Sequence, residues 1–237
     1  MICLQGIQKL TLLDYPGRVA CTLFTGGCNF RCPFCQNSDL LPCHKKGLLD
    51  SSEVLAFLEQ RRKKNLLDGV CITGGEPLLQ EGLGSFLRAL KQMGYAVKLD
   101  TNGSLPDKLQ EFIKAQLVDY VAMDIKNSPE RYAETSGTTG LYNHAVERSA
   151  ELLKKGLVPY EFRTTVVKEF HDAQSFQQIA SWIEGAGAYY LQSFVDSDAV
   201  LEKGLHAYEP EELEAFRQMI LPKVPSAKLR GVDLSIR

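Results

Sequence analysis

Nowhere in the 237 residues does an uncharged apolar run reach the length of about 18 that a membrane-spanning helix needs, so no membrane partner is expected. The opening residues, Met1-Ile2-Cys3-Leu4-Gln5-Gly6, lack a basic segment followed by an apolar one, and no secretory leader is expected. No Lys/Arg block is longer than Arg61-Arg62-Lys63-Lys64. With 27 basic against 29 acidic residues and a net charge of −2, the chain offers no basic field for nucleic acid. Pro/Ser-rich linkers, low-complexity segments and internal repeats are also missing, so a single domain over residues 1–237 is the simplest organisation. Seven cysteines cannot all pair in disulfides, and a chain of this length can bury an adequate core without them. A reducing cytoplasm is therefore the expected location.

What is present is a rhythm of short β-branched runs alternating with helical patterns, the mark of βα units around a parallel sheet. Strands are expected near residues 18–25, 69–73, 96–100, 120–125, 162–167 and 189–194, and helices near 51–64, 81–93, 106–116, 142–155, 173–184 and 210–220. Ser51 is the expected N-cap of the first helix, with Leu55 and Leu58 on its apolar face. Gly94 and Gly156 are expected helix stops. In parallel α/β folds the functional loops gather at the carboxyl ends of the strands. Most of the residues with chemical potential fall there.

Thr25-Gly-Gly-Cys28-Asn-Phe-Arg-Cys32-Pro-Phe-Cys35 places three thiols within eight residues after the first expected strand. Such spacing lets three thiolates converge on one inorganic centre. An electron-transfer cluster ordinarily takes four thiolates, whereas three leave one iron open to a nitrogen or oxygen donor. The competing assignment is zinc on the same cysteines with Cys43 or His44 as the fourth ligand. Gly26 and Gly27 remove side chains near the centre, and Pro33 stiffens the turn between the last two ligands. Cys21 and Cys71 alternate with apolar neighbours and are expected to be buried small hydrophobes. Gly74-Gly75-Glu76-Pro77 after the second strand lacks the G-x-x-x-x-G-K-[ST] pattern of a phosphate loop. Taken alone it is equally well a strand-to-helix turn.

The C-x3-C-x2-C triplet, the aromatic Phe34 beside its third cysteine and Gly-Gly-Glu-Pro about 40 residues on together resemble the radical S-adenosylmethionine superfamily. The longer stretch from Gly6-Ile-Gln-Lys-Leu-Thr-Leu-Leu-Asp14-Tyr-Pro-Gly to Cys35-Gln-Asn resembles the activating proteins of glycyl-radical enzymes, most closely those of anaerobic ribonucleoside-triphosphate reductase. The likeness is thin after about residue 170.

The resemblance implies a partial (βα)6 TIM-like barrel of the α/β class with a parallel sheet. It implies a [4Fe–4S] cluster on Cys28, Cys32 and Cys35, and S-adenosylmethionine as the second cofactor. The resembling enzymes cleave that cofactor reductively to a 5′-deoxyadenosyl radical, which takes a hydrogen atom from a glycine of a large partner enzyme. A flavodoxin- or ferredoxin-type protein would donate the electron. Phe34, Gly74, Gly75, Glu76, Asp124, Lys126, Arg163 and Thr165 are the implied cofactor-binding positions. Among them Asp124 would meet the ammonium and Lys126 the carboxylate of the methionine end, since alternation puts both on one strand face. Asp14, Asp100, Thr101 and Asp124 are the implied ligands of a monovalent cation. Gln192-Ser193-Phe194-Val195 has no histidine where relatives sometimes use one against adenosine. His44, His144, His171 and His206 are expected on the surface or at helix caps. Rival assignments are activation of pyruvate formate-lyase or another glycyl-radical enzyme, a radical enzyme acting on a small molecule, and a non-enzymatic zinc module.

Overall fold

The computed structural model describes residues 2–42 and 47–232. Cys43 and His44, the candidate fourth zinc ligands, lie outside the described residues. The strands are β1 (Leu4–Thr11), β2 (Ala20–Thr25), β3 (Gly69–Gly74), β4 (Ala96–Thr101), β5 (Tyr120–Asp124), β6 (Tyr160–Val166), β7 (Tyr189–Ser193) and β8 (Ala227–Arg230). The helices are α1 (Ser51–Lys63), α2 (Leu83–Gln92), α3 (Pro106–Lys114), α4 (Tyr132–Ser136), α5 (Asn143–Lys154), α6 (Ala173–Trp182) and α7 (Pro210–Ile220). All six expected strands and all six expected helices are present. The eight strands follow one another in the sheet in sequence order, so the fold is α/β with a mixed, mostly parallel sheet, the strand order of the expected partial barrel.

Two strands were not expected. β1 pairs antiparallel with β2, so the sheet is not purely parallel. Its Gln5, Gln8 and Lys9 break the apolar alternation by which a strand is recognised, and Leu4 and Thr11 alone are buried. The four-residue β8 pairs parallel with β7 and is too short to carry a periodic signal.

The chain divides into two compact units, and the division falls within β5. Unit one comprises the residues up to Asn29, Asp39–Ala122 and Leu157–Pro159; unit two comprises Phe30–Ser38, Met123–Gly156 and the residues from Tyr160 onward. In unit one, β2, β3 and β4 pair in parallel with Thr22, Cys71 and Lys98 side by side. Helix α2 buries Leu83, Phe86, Leu87 and Leu90 at helical spacing, each fully buried aliphatic side chain contributing about 1.5–3 kcal/mol. In unit two, β6, β7 and β8 pair in parallel, and α6 stacks Phe176 against Phe216 of α7 with ring centres 4.7 Å apart.

The first helix is capped by Asp50 rather than Ser51. The Asp50 carboxylate accepts from the backbone N–H of Ser52 at 2.8 Å and of Glu53 at 3.3 Å. Its buried pair is Val54 and Leu58, with Leu55 half-buried. Gly94 and Gly156 stop their helices with φ of +81° and +68°.

Candidate active site

The cysteine loop leaves β2 at Thr25 and runs from unit one into unit two. In unit one the Gly27 N–H donates to Leu40 O at 2.7 Å, which holds the chain as it reaches Cys28. Asn102, just past β4, donates through Nδ2 to Asn29 Oδ1 at 3.0 Å and lies 3.8 Å from Cys28 Sγ. In unit two the Cys35 N–H donates to Cys32 O at 3.0 Å and closes a tight turn around Pro33. A segment after β7 runs along this turn: Leu201 N–H donates to Cys35 O at 3.1 Å, Glu202 N–H to Pro33 O at 2.9 Å, and Gln36 Nε2 to Val195 O at 2.8 Å. Nothing in the composition of residues 195–202 signals that role, because backbone groups make most of these contacts.

Cys28, Cys32 and Cys35 are reduced thiols outside any disulfide, Cys32 buried and the other two half-buried. Among the described residues no three His, Cys, Asp or Glu side chains gather around a single-ion centre. A four-iron cluster is a different kind of centre, since it takes its three thiolates on separate irons. Three reduced thiols on one short loop are the donor set such a cluster takes. Cys21 and Cys71 are fully buried, as expected of strand residues, and burial pushes the Cys21 thiol up to about 12.

The glycines of the two loops serve each other. The Gly75 N–H donates to Thr25 O and the Glu76 N–H to Gly27 O, both at 2.8 Å, so the loop after β3 is laced to the loop after β2. A Cβ on Gly75 would lie 2.1 Å from Gly27 O, and one on Gly74, at φ +114°, 2.4 Å from Thr25 N and O. Gly26 lacks a side chain because of Gln5 and Cys3: a Cβ there would come 2.9 Å from Gln5 Cγ. These glycines therefore permit backbone against backbone, a closer reason than clearance for the cluster.

Glu76 is completely buried. Its carboxylate accepts from Leu78 N–H at 3.0 Å, Thr101 Oγ1 at 2.9 Å and Asn102 N–H at 2.7 Å. It thereby caps the short 3-10 turn Pro77–Leu79 and ties the loop after β3 to the end of β4. The side chain thus braces the loop.

In unit two, Ile125 N–H donates to Arg163 O and Thr164 Oγ1 to Ile125 O, both at 2.7 Å, which fixes the end of β5 against β6. Ile125 is buried, and the flanking charges share the other face as alternation predicts. Lys126 Nζ lies 2.9 Å from Asp124 Oδ2, while Arg163 Nε and Nη2 lie 3.1 and 3.0 Å from Asp124 Oδ1. Burial opposes ionisation of Asp124, but the two cations outweigh it and lower its carboxyl to about 2. Burial likewise works against the Lys126 ammonium, and Asp124 followed by Cys32 more than reverses this, holding it well above the usual lysine range. One anion with two cations leaves a net positive half-buried group. Thr165 is half-buried on the same face of β6 as Arg163.

Phe34 is buried, its ring 5.9 Å from Phe170 and 6.2 Å from His171, with Lys126 Nζ 6.0 Å from its centre. His171 departs from expectation. It is neither a surface residue nor a cap but is 1% exposed, stacked on Phe176. Its Nδ1 accepts from Val167 N–H at 3.1 Å, which leaves Nε2–H to donate to Lys126 O at 2.9 Å. Burial holds its pKa down at about 4, so it is neutral at pH 7 and pins the Lys126 backbone. A lone histidine without a spacing partner gave no signal of this in the sequence. His144 and His206 are exposed, as expected.

Asp14, Asp100 and Thr101 lie in unit one and Asp124 in unit two. Asp14 Oδ2 accepts from Thr22 Oγ1 at 2.5 Å, and Asp100 is ion-paired with buried Lys98. Thr101 Oγ1 donates to Glu76. Each oxygen group proposed for a cation has a partner within the protein.

The profile of the radical SAM superfamily matches residues 22–183. A protein of Methanocaldococcus jannaschii named "Putative glycyl-radical enzyme activating enzyme MJ1227" is 33% identical over 218 residues, covering 89% of this chain and 87% of its own. Among solved structures, Streptococcus suis SuiB bound to S-adenosylmethionine superposes with a TM-score of 0.69 at 12% identity over 86% of this chain, which spans 48% of SuiB. A domain of pyruvate-formate lyase-activating enzyme from Bacteroides vulgatus gives 0.57 at 18% identity, covering 69% of this chain and 99% of that one. The structural matches carry the fold. Among the described residues, no helix is long and apolar enough to cross a membrane. With the profile spanning more than half of the chain, including the cysteine triplet, the protein belongs to the radical SAM superfamily and is an enzyme of the oxidoreductase class.

Proposed function

We propose that this chain is a radical S-adenosylmethionine activase that installs a glycyl radical on a large partner enzyme, anaerobic ribonucleoside-triphosphate reductase being the favoured partner, with residues 1–237 working as one domain. Cys28, Cys32 and Cys35 would hold the [4Fe–4S] cluster. Bound together, the cluster and S-adenosylmethionine supply reductive cleavage of the C5′–S bond and a 5′-deoxyadenosyl radical able to take a hydrogen atom from a backbone glycine. The observation that carries this reading is the Asp124, Lys126 and Arg163 group. It sets two cations and one carboxylate together on a half-buried face, the Lys126 ammonium and the Arg163 guanidinium matching a carboxylate and Asp124 matching an ammonium. A zwitterionic amino-acid end matches that pattern. Phe34 and the neutral His171 hold Lys126 in place from the ring side and the backbone side respectively.

Glu76 supports the same end differently, bracing the glycine loop whose backbone groups would meet the cofactor. Thr165 is assigned to the ribose side, on the Arg163 face of β6. The similarity to a protein named as a glycyl-radical enzyme activating enzyme over most of both chains supports the activase role.

The test is anaerobic reconstitution with iron, sulfide, S-adenosylmethionine, a reduced flavodoxin or ferredoxin and candidate partner enzymes, followed by electron paramagnetic resonance. A glycyl-radical doublet on the reductase is expected. Release of 5′-deoxyadenosine with no doublet on any partner would replace this reading with a small-molecule reaction. For the binding group, Lys126→Ala is expected to retain the cluster's visible absorbance while weakening S-adenosylmethionine binding about 10- to 100-fold, the loss of one charge-assisted hydrogen bond. Unchanged affinity would remove Lys126 from the cofactor site.

A further inference from the structure

Lys98 sits in the middle of β4, on the face that Thr22 and Cys71 share in the neighbouring strands. Its side chain is 2% exposed. A lysine buried so completely loses the hydration of its ammonium, and such a group persists in a fold only beside a compensating charge. That charge is Asp100, two residues on and on the same strand face, in direct ion-pair contact through Oδ1. Cys71 Sγ flanks the pair, 3.7 Å from Asp100 Oδ1 and 3.8 Å from Lys98 Nζ.

Asp100 is the residue through which the resemblance would anchor a monovalent cation. In this chain the fit fails on charge before geometry is considered. An added cation beside Asp100 would have the Lys98 ammonium as a like-charged neighbour across a poorly screened interior. The remaining unit-one oxygens are engaged as well. Asp14 accepts the Thr22 hydroxyl, and Thr101 Oγ1 donates to Glu76 while accepting from Gly103 N–H at 3.1 Å.

We propose that Lys98 is the built-in cation of this protein: its ammonium, paired with Asp100, supplies the positive charge that a bound sodium or potassium ion would otherwise supply, so neither folding nor cofactor binding needs a monovalent metal ion. The folding half stands on unit one alone. The cofactor half rests on the S-adenosylmethionine site proposed above.

Both halves are read by measuring the thermal midpoint of the protein, and S-adenosylmethionine affinity of the anaerobically reconstituted protein, in potassium, sodium and tetramethylammonium chloride at equal ionic strength. For the natural chain the midpoint is expected to agree within about 1 °C and the affinity within twofold across the three salts. A tenfold tighter affinity, or a midpoint several degrees higher, in potassium or sodium would overturn the proposal. Lys98→Met, which removes the ammonium beside Asp100, is expected to gain a dependence on potassium or sodium that Lys98→Arg does not show. A soluble Lys98→Met protein indifferent to the salt would mean that Lys98 is only a structural partner of Asp100, and would equally overturn it. Should Lys98→Met fail to fold, the salt series on the natural chain still decides. If no salt supports S-adenosylmethionine binding, the proposed function fails, while the midpoints continue to test Lys98.

Discussion

Cys32→Ala is expected to yield a protein that stays colourless after anaerobic reconstitution and releases no 5′-deoxyadenosine, whereas Cys21→Ala takes up a full complement of iron. The difference lies in where the two thiols are placed. Cys21 is fully buried within β2, and burial keeps it a neutral thiol with a pKa near 12, unsuited to bind metal. Cys32 lies in a turn held by the Cys35 N–H and by the segment after β7, within electrostatic reach of Lys126. Iron and sulfide content with the visible spectrum provide the measurement. Full iron in Cys32→Ala, or zinc without iron in the natural protein, would end the cluster assignment.

Gly75→Ala should be among the most damaging single-methyl additions available in unit one. The new carbon would lie 2.1 Å from Gly27 O and 2.7 Å from Gly27 C, both backbone atoms that cannot rotate away. Relief requires parting the two loops, which breaks the bonds from Gly75 N–H to Thr25 O and from Glu76 N–H to Gly27 O. Overpacking of this kind costs about 3 kcal/mol or more. For a chain of this size that lowers the thermal midpoint by roughly 6–12 °C. Because the parted loop leads directly to Cys28, cluster retention should fall with stability. Gly6→Ala is the control: its added carbon meets only the Phe24 side chain, at 3.6 Å, and should change the midpoint little. A Gly75→Ala protein melting within 2 °C of the natural chain would show that the loops do not interlock as described.

Much of this was legible in the order of residues. The six strands of the βα repeat announce themselves as apolar β-branched runs, and the cysteine triplet with the later Gly-Gly-Glu-Pro points to the superfamily to which the chain belongs. The same-face placement of Asp124 and Lys126 followed from strand alternation, with Ile125 buried between them. Other features gave no local signal. β1 escaped because its exposed polar residues erase the alternation, and the first helix cap shifted from Ser51 to Asp50 because either residue satisfies the same local rule. Segment 195–202 holds the cysteine turn mainly through backbone groups, which every residue carries.

Spacing and periodicity along the chain determined the class of fold, the cysteine triplet and the strand face that carries the charged pair, since each depends on residues near one another in sequence. Strand register and loop contact decided the rest. They buried Glu76 under three donors, gave Lys98 its carboxylate, placed His171 beneath Lys126 and set glycine against glycine. The physical reason is that a buried polar group must find its partner wherever the fold brings one, and that partner lay 2 residues away for Lys98 but 45 for His171.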